Sequence, residues 1–310
     1  MPANRANETP TAASKTAPEQ VYSSAEATSA GSAVPAAAQA ATLSAPDEAR
    51  CLNTLGRWLG VRDVAELSHE SLDVAGVPGG QVDVAVLFGG SILAGGEVFA
   101  KAMRAGVAKT YVVAGGAGHT TQSLRDEARA AWPRISFAAD ASEAEIFAAY
   151  LKEYENLEPD YLETASTNCG NNITYLRSLL SEKGVPAQSY LLMQDATMQR
   201  RMAAVLEKEQ PGAKILSYAT YKVEVAPDAD GALAITNQPL GMWDIPRYRT
   251  LLMGEVPRLR DDENGYGPKG ASYLAHVDVP IEVETAYETL AAAYPEGTRV
   301  ANKAYASANN

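Results

Sequence analysis

Between Val82 and Tyr218 short apolar runs alternate with amphipathic stretches, and that rhythm leaves few folds open. Val82–Phe88 (VDVAVLF) is apolar on both faces of an extended chain, the mark of a strand covered on both sides. Thr110–Ala114, Tyr161–Glu163, Ser189–Met193 and Lys214–Tyr218 read as further strands, and Ile135–Ala138 as a short one. Between them, helical spacing predicts helices over Glu97–Ala105, Ser142–Tyr154, Ile173–Lys183 and Met198–Glu209. Ser142 sits as an N-cap with Glu145 at capping-box spacing. Strands separated by helices need crossover connections, so the expectation is an α/β, Rossmann-like fold with a mostly parallel sheet and flanking helices. In such sheets ligands bind beyond the carboxyl ends of the strands.

The flanks are different. Residues 1–45 are rich in Ala, Ser, Thr and Pro and poor in large apolar residues, which predicts a disordered tail. Leu52, Leu55, Trp58 and Leu59 predict a helix that opens a domain over 46–225, followed by a shorter helix and a Gly/Pro linker over 62–80. Past Val225 the alternation stops. Residues 226–310 read as a smaller C-terminal helical and irregular portion, packed near the ligand rim. It holds helices over Trp243–Met253 and Val279–Ala293 and a polar loop over Pro257–Gly270.

The formal net charge of −12 and the lack of a basic stripe argue against nucleic acid as a partner. No apolar run approaches the roughly 18 residues of a membrane span, and no secretory signal is evident. A cytoplasmic protein without membrane insertion is expected, with a small molecule as its partner. Oligomeric state is not written in these features. Cys51 and Cys169 are too few for a disulfide framework.

Polar clusters fall where strands give way to helices. Gly89 and Gly90 follow the first strand, and Gly115, Gly116, Gly118 and His119 the second. Glycines there let backbone approach a ligand, although the G-x-G-x-x-G spacing is missing. His119 is a candidate acid/base or anion donor. Glu143 starts a helix on the same rim. The stretch YLETASTNCGNN brings Glu163, Ser166, Thr167, Asn168 and Asn172 to one strand-to-helix junction, with Cys169 read as a small buried thiol. A fifth junction carries Gln194, Asp195, Thr197, Gln199, Arg200 and Arg201, where an arginine pair can hold a carboxylate or phosphate. In PRLRDDENGYGPKG, Arg260 stands where an EF-hand needs its first acidic ligand, so a calcium loop is not expected. Arg258, Arg260 and Asp261 are expected to face the site or a contact between domains. His69, His119 and His276 are scattered, and no metal ligands are assigned. Neither a G-x-S-x-G elbow nor a P-loop is present.

STNCGNN, QDATMQRR, LLMGEVPRLRDDENGYGPKG and AHVDVP together resemble the SanA/ElyC/YdcF-like family, long catalogued as a domain of unknown function. The resemblance runs from about Leu52 to Glu284. It implies a Rossmann-like domain with a smaller C-terminal portion and, for YdcF-like members, S-adenosylmethionine as ligand. By position it marks Gly89, Gly90, Gly115, Gly116, Glu143, Glu163, Ser166, Asn168, Asn172, Asp195 and Arg200. Asn171 stands where the family's run carries a glutamate. SanA- and ElyC-like relatives carry an N-terminal membrane segment that this sequence lacks.

The expectation is therefore a YdcF-like protein binding an adenosyl-type molecule, S-adenosylmethionine, with methyl transfer as the associated reaction. Glu163 would hold the ribose or amino group and Arg200 the ligand carboxylate. Two alternatives stand beside it. One is a hydrolase or transferase on a phosphorylated or cell-envelope precursor, with Asp195, Glu143 and His119 in acid/base roles beside a metal; Glu163 is a candidate catalytic base as well as a ribose ligand. The other is a non-enzymatic ligand-sensing module.

Overall fold

The computed structural model describes residues 43–118 and 120–296. Five strands form one sheet: β1 (Val82–Phe88), β2 (Ala108–Ala114), β3 (Tyr161–Glu163), β4 (Ser189–Met193) and β5 (Lys214–Ser217). Their order is β3-β2-β1-β4-β5, and every pairing is parallel. The chain winds outward from β1 to β3, then returns to the other side of β1. Strand order therefore reverses between β1 and β4, where loops diverge to opposite faces and leave a crevice.

The apolar runs are explained by helices on both faces. Val84, Val86 and Phe88 point to one core, shared with Val112, Tyr190 and Leu192. Ala85 and Leu87 point to the other, with Val113, Leu191 and Met193. The first core is covered by α1 (Ala45–Leu59), α6 (Cys169–Glu182), α7 (Gln199–Glu209), α8 (Ile245–Leu259) and α9 (Ile281–Ala293). The second is covered by α2 (His69–Val74), α3 (Ala94–Arg104), α4 (Thr121–Ala131) and α5 (Glu143–Tyr150). The capping box at α5 forms as its spacing predicts, with Ser142 N donating to Glu145 Oε2 at 2.7 Å.

Three local expectations are corrected. Ile135–Ala138 pairs with no strand. Ile135 and Phe137 instead pack against the second core as an irregular link between α4 and α5. Helix α4 was not foreseen, because its buried stripe consists of little more than Thr121, Leu124 and Ala128. The break after Val225 contains a small antiparallel hairpin, β6 (Val225–Pro227) with β7 (Leu233–Ile235).

The C-terminal helices are fastened by buried ions. Arg249 on α8 meets Glu48 on α1 at 2.6 Å, and Tyr294 donates to the same carboxylate at 2.6 Å. Arg201 on α7 makes a two-pronged bond to Glu255 on α8, at 2.6 and 2.9 Å. Among the described residues no helix is long and apolar enough to cross a membrane. The expected tail falls almost wholly on residues 1–42, outside the described residues.

Candidate functional site

Four strand ends deliver polar groups to one rim. Behind β1, Gly89 lies so close to Glu143 that an added Cβ would come within 2.6 Å of its Cβ and its Oε2. Gly115, behind β2, faces Gly89: its Cβ would stand 3.0 Å from the Gly89 Cα. Gly116 is tighter still, with the Ser166 carbonyl oxygen 2.2 Å from an added Cβ. These positions are glycine because two backbones and an acid share the space. The junctions are also bonded. Gly116 N–H donates to Ser166 Oγ at 3.1 Å, and Glu143 and Ala144 N–H groups donate to the Gly116 and Gly115 carbonyls at 3.0 and 2.9 Å. Across the β1/β4 crevice the Gln194 amide approaches the Gly89 carbonyl at 3.5 Å.

The acids are buried differently. Glu143 accepts Thr121 Oγ1 at 2.8 Å, and burial pushes its carboxyl above the usual range, opposed by the Thr121 bond and by Arg125. Glu163 uses Oε1 to accept the Ala165 and Ser166 N–H groups at 2.6 and 3.0 Å. Its Oε2 is buried with no protein partner among the described residues. Asp195 is fully engaged: Oδ1 accepts Thr197 N–H, Thr197 Oγ1 and Tyr221 OH at 2.7–2.8 Å, and Oδ2 accepts Trp243 Nε1 at 3.3 Å. Burial and the Asp195 charge hold the Tyr221 hydroxyl in its protonated form, well above the ordinary range.

An expected outcome follows for Glu143. Its folded carboxyl is raised above its unfolded value, so the folded state holds the proton over a higher pH range. Stability from this group therefore falls as pH rises from about 4.5 through the raised folded value. Glu143→Gln keeps an acceptor for Thr121 and has no proton to lose. Melting temperatures across pH 4 to 9 should show the variant equal to the parent near pH 4.5 and more stable at neutral pH. Parallel profiles would contradict the burial argument.

The expected residues divide as follows. Gly89, Gly90, Gly115, Gly116, Glu143, Glu163, Ser166 and Asp195 meet on the rim. Asn168 caps α6 by accepting Asn171 N–H at 3.0 Å, so the helix begins at Cys169, four residues ahead of the expected start. The Asn171 carboxamide accepts Asn168 Nδ2 and Thr167 Oγ1 at 2.7 and 3.2 Å, so this position serves the helix cap. Thr167 belongs to that cap. The Asn172 side chain has no hydrogen bond among the described residues. His119 lies outside the described residues.

Arg200 requires a correction. Its guanidinium donates to the Trp58 carbonyl at 2.7 Å and stacks 4.7 Å from the Trp58 ring on α1. It is a packing group there, not a ligand clamp on the rim. Arg201, held by Glu255, is equally committed. The loop after α8 turns to α9: Arg260 pairs with Glu284, and Asp261 with His276 at 2.6 Å.

Sequence reading missed two groups that build the rim. Tyr221 and Trp243 reach Asp195 from 26 and 48 residues away. No local signal distinguishes them from core aromatics. Ser91, in the turn after β1, is also new: its buried hydroxyl has no partner among the described residues. A strap over Gln238–Trp243 covers that turn. Ala94 N–H donates to the Leu240 carbonyl at 3.1 Å, and Gly241, at φ +79°, would place a Cβ 2.8 Å from the Leu93 nitrogen. A cleft of about 690 Å³ opens beside the rim between this strap and α4. No known family model matches the chain.

Proposed function

We propose that the rim binds a small polar ligand of the adenosyl type, with S-adenosylmethionine as the candidate. One observation carries the reading. Among the described residues, the buried side-chain atoms left without a partner are Glu163 Oε2 and Ser91 Oγ, and both lie at the carboxyl ends of the strands. A buried polar atom without a partner costs about 1–3 kcal/mol, which a ligand group would recover. The acceptor Glu163 Oε2 suits a ribose hydroxyl. The acids Glu163 and Asp195 suit a cationic sulfonium more than a phosphate. Gly90, where an added Cβ would meet nothing nearer than Gln194 Oε1 at 3.6 Å, leaves room for a flat ring against the backbone. Bound there, S-adenosylmethionine supplies an activated methyl group. The chain's own part is to hold and orient it and, with the strap closed, to exclude water. The strap lies over the turn that carries Ser91, so it must lift for a ligand to reach Ser91 Oγ.

A second reading rests on Glu143, whose carboxyl binds its proton more tightly because it is buried. Such a group can donate a proton in hydrolysis or transfer on a phosphorylated or envelope-precursor substrate. A ligand-sensing module without catalysis needs only the binding half of the first reading.

A thermal-shift screen separates them. Stabilisation grows as RT ln(1 + [L]/Kd), about 2.7 kcal/mol at a hundredfold excess over Kd. S-adenosylmethionine should raise the melting temperature of the parent and act at least about tenfold more weakly on Glu163→Ala. A shift produced only by phosphosugars with divalent ions would overturn the adenosyl reading.

A further inference from the structure

The cleft beside the rim does not contain the acids, yet it is tied to them twice. Trp243 forms part of its wall and donates to Asp195. Ser123 and Glu127 form the facing wall, on the helix whose first residue, Thr121, donates to Glu143. At about 690 Å³ the cleft falls within the range of small-molecule sites.

Glu127 lines it on one side and Arg247 with Asp244 on the other, and Asp244 Oδ1 accepts Arg247 N–H at 2.7 Å as the α8 cap. Arg247 stands in the first turn of α8, with its guanidinium 5.5 Å from the Trp243 ring centre. Among the described residues it makes no ion pair. Its place is not explained by the helix, since a cation near a helix N-terminus opposes the macrodipole. On α4, Glu127 accepts Ser123 Oγ at 2.7 Å and has no cationic partner among the described residues. The two charges do not pair with each other. Arg247 and Glu127, both long and both half-buried, with the Asp244 carboxylate engaged at the α8 cap, fit a ligand carrying an anion and a cation on neighbouring atoms.

We infer that this cleft receives the amino-acid end of the ligand, its carboxylate on Arg247 and its ammonium on Glu127, with Trp243 as the partition between cleft and rim. The inference rests on the adenosyl reading above and moves the carboxylate-binding role from Arg200 to Arg247.

Calorimetric titration of the full chain with S-adenosylmethionine and with 5′-methylthioadenosine, which lacks the amino-acid end, tests it. The parent should bind S-adenosylmethionine at least about tenfold more tightly, the worth of one charge-assisted bond. Arg247→Ala and Glu127→Gln should each erode that preference and leave methylthioadenosine binding unchanged, and Arg247→Lys should restore part of it. Melting temperatures within about 2 °C of the parent would show that these partly exposed substitutions leave the fold intact. Equal affinity of the parent for both compounds overturns the cleft assignment and leaves the adenosyl site standing. If neither compound binds, the adenosyl reading falls, and the cleft is decided by titration with free L-methionine and L-glutamate. Binding that Arg247→Ala abolishes would then support an amino-acid site, and no binding would end it.

Discussion

Glu255→Ala should lower the stability of this protein by about 3–5 kcal/mol, the largest loss expected from any single truncation described above. The Glu255 side chain is 5% exposed and that of Arg201 14%, and two bonds of 2.6 and 2.9 Å join them. Removing the acid leaves a guanidinium buried without a counter-charge. In a chain of this size each kcal/mol moves the melting temperature by roughly 2–4 °C, so a drop of about 10 °C or more is expected. Arg201→Met combined with Glu255→Leu should recover most of the loss, because apolar groups of similar volume avoid desolvating two ions. The bridge also matters for the rim. It fastens α7, whose Gln199 accepts Gln194 N–H at 2.9 Å, to α8, which starts just after Trp243. The double variant should therefore keep ligand binding. Urea unfolding of the parent and the two variants checks the stability order, and a double variant no better than Glu255→Ala would refute it.

Gly116→Ala should be the second large effect, about 3 kcal/mol, for a different reason. The new methyl carbon would sit 2.2 Å from the Ser166 carbonyl oxygen and 2.8 Å from both the Ser166 nitrogen and the Thr164 oxygen. All three are backbone atoms, so no rotamer change relieves the clash. The β3–α6 loop must move away, taking with it the Ser166 bond to Gly116 and the Glu163 carboxyl that bonds the same loop. Stability and ligand binding should fall together. Gly118→Ala is the control: its nearest neighbour is the Thr167 oxygen at 3.8 Å, an ordinary contact, and a change within about 0.5 kcal/mol is expected. Equal losses at the two positions would show that backbone freedom, not crowding at the rim, governs this turn.

These expectations show which parts of the molecule the sequence exposes. VDVAVLF and SYLLM are apolar at every or nearly every position because helices cover both sides of the sheet, and such runs declare themselves. The ISFA stretch alternates as a half-buried strand would, yet its backbone pairs with nothing. Ile135 and Phe137 bury against helices, and alternation cannot reveal what lies beside the backbone. Helix α4 is short of large apolar residues, so its periodicity is faint.

The rim was legible to the extent that it is built from strand ends. Gly89, Gly115 and Glu163 directly follow or close a strand and Asp195 stands two residues past one, and parallel topology brings such positions together. Arg200 misled because an arginine one turn into a helix looks alike in sequence whether it faces a ligand or a tryptophan. Only the packing of α1 turns it toward Trp58. Arg247 gave the opposite difficulty: it lies in an expected helix two residues before Arg249, and nothing local separates the arginine that pairs with Glu48 from the one that faces the cleft. Tyr221 and Trp243 are bound to Asp195 through tertiary contacts that leave no mark in local composition.

The central claim is that turns far apart in the chain enclose a small molecule at the carboxyl rim. A crystal structure after soaking with S-adenosylmethionine tests this most directly. The account predicts ligand density against the Gly89–Gly90 and Gly115–Gly116 turns, a hydroxyl on Glu163 Oε2, and a displaced Gln238–Trp243 strap. Density confined to another place, such as the hollow between Arg260 and Glu288, with the rim closed and unchanged, would contradict it.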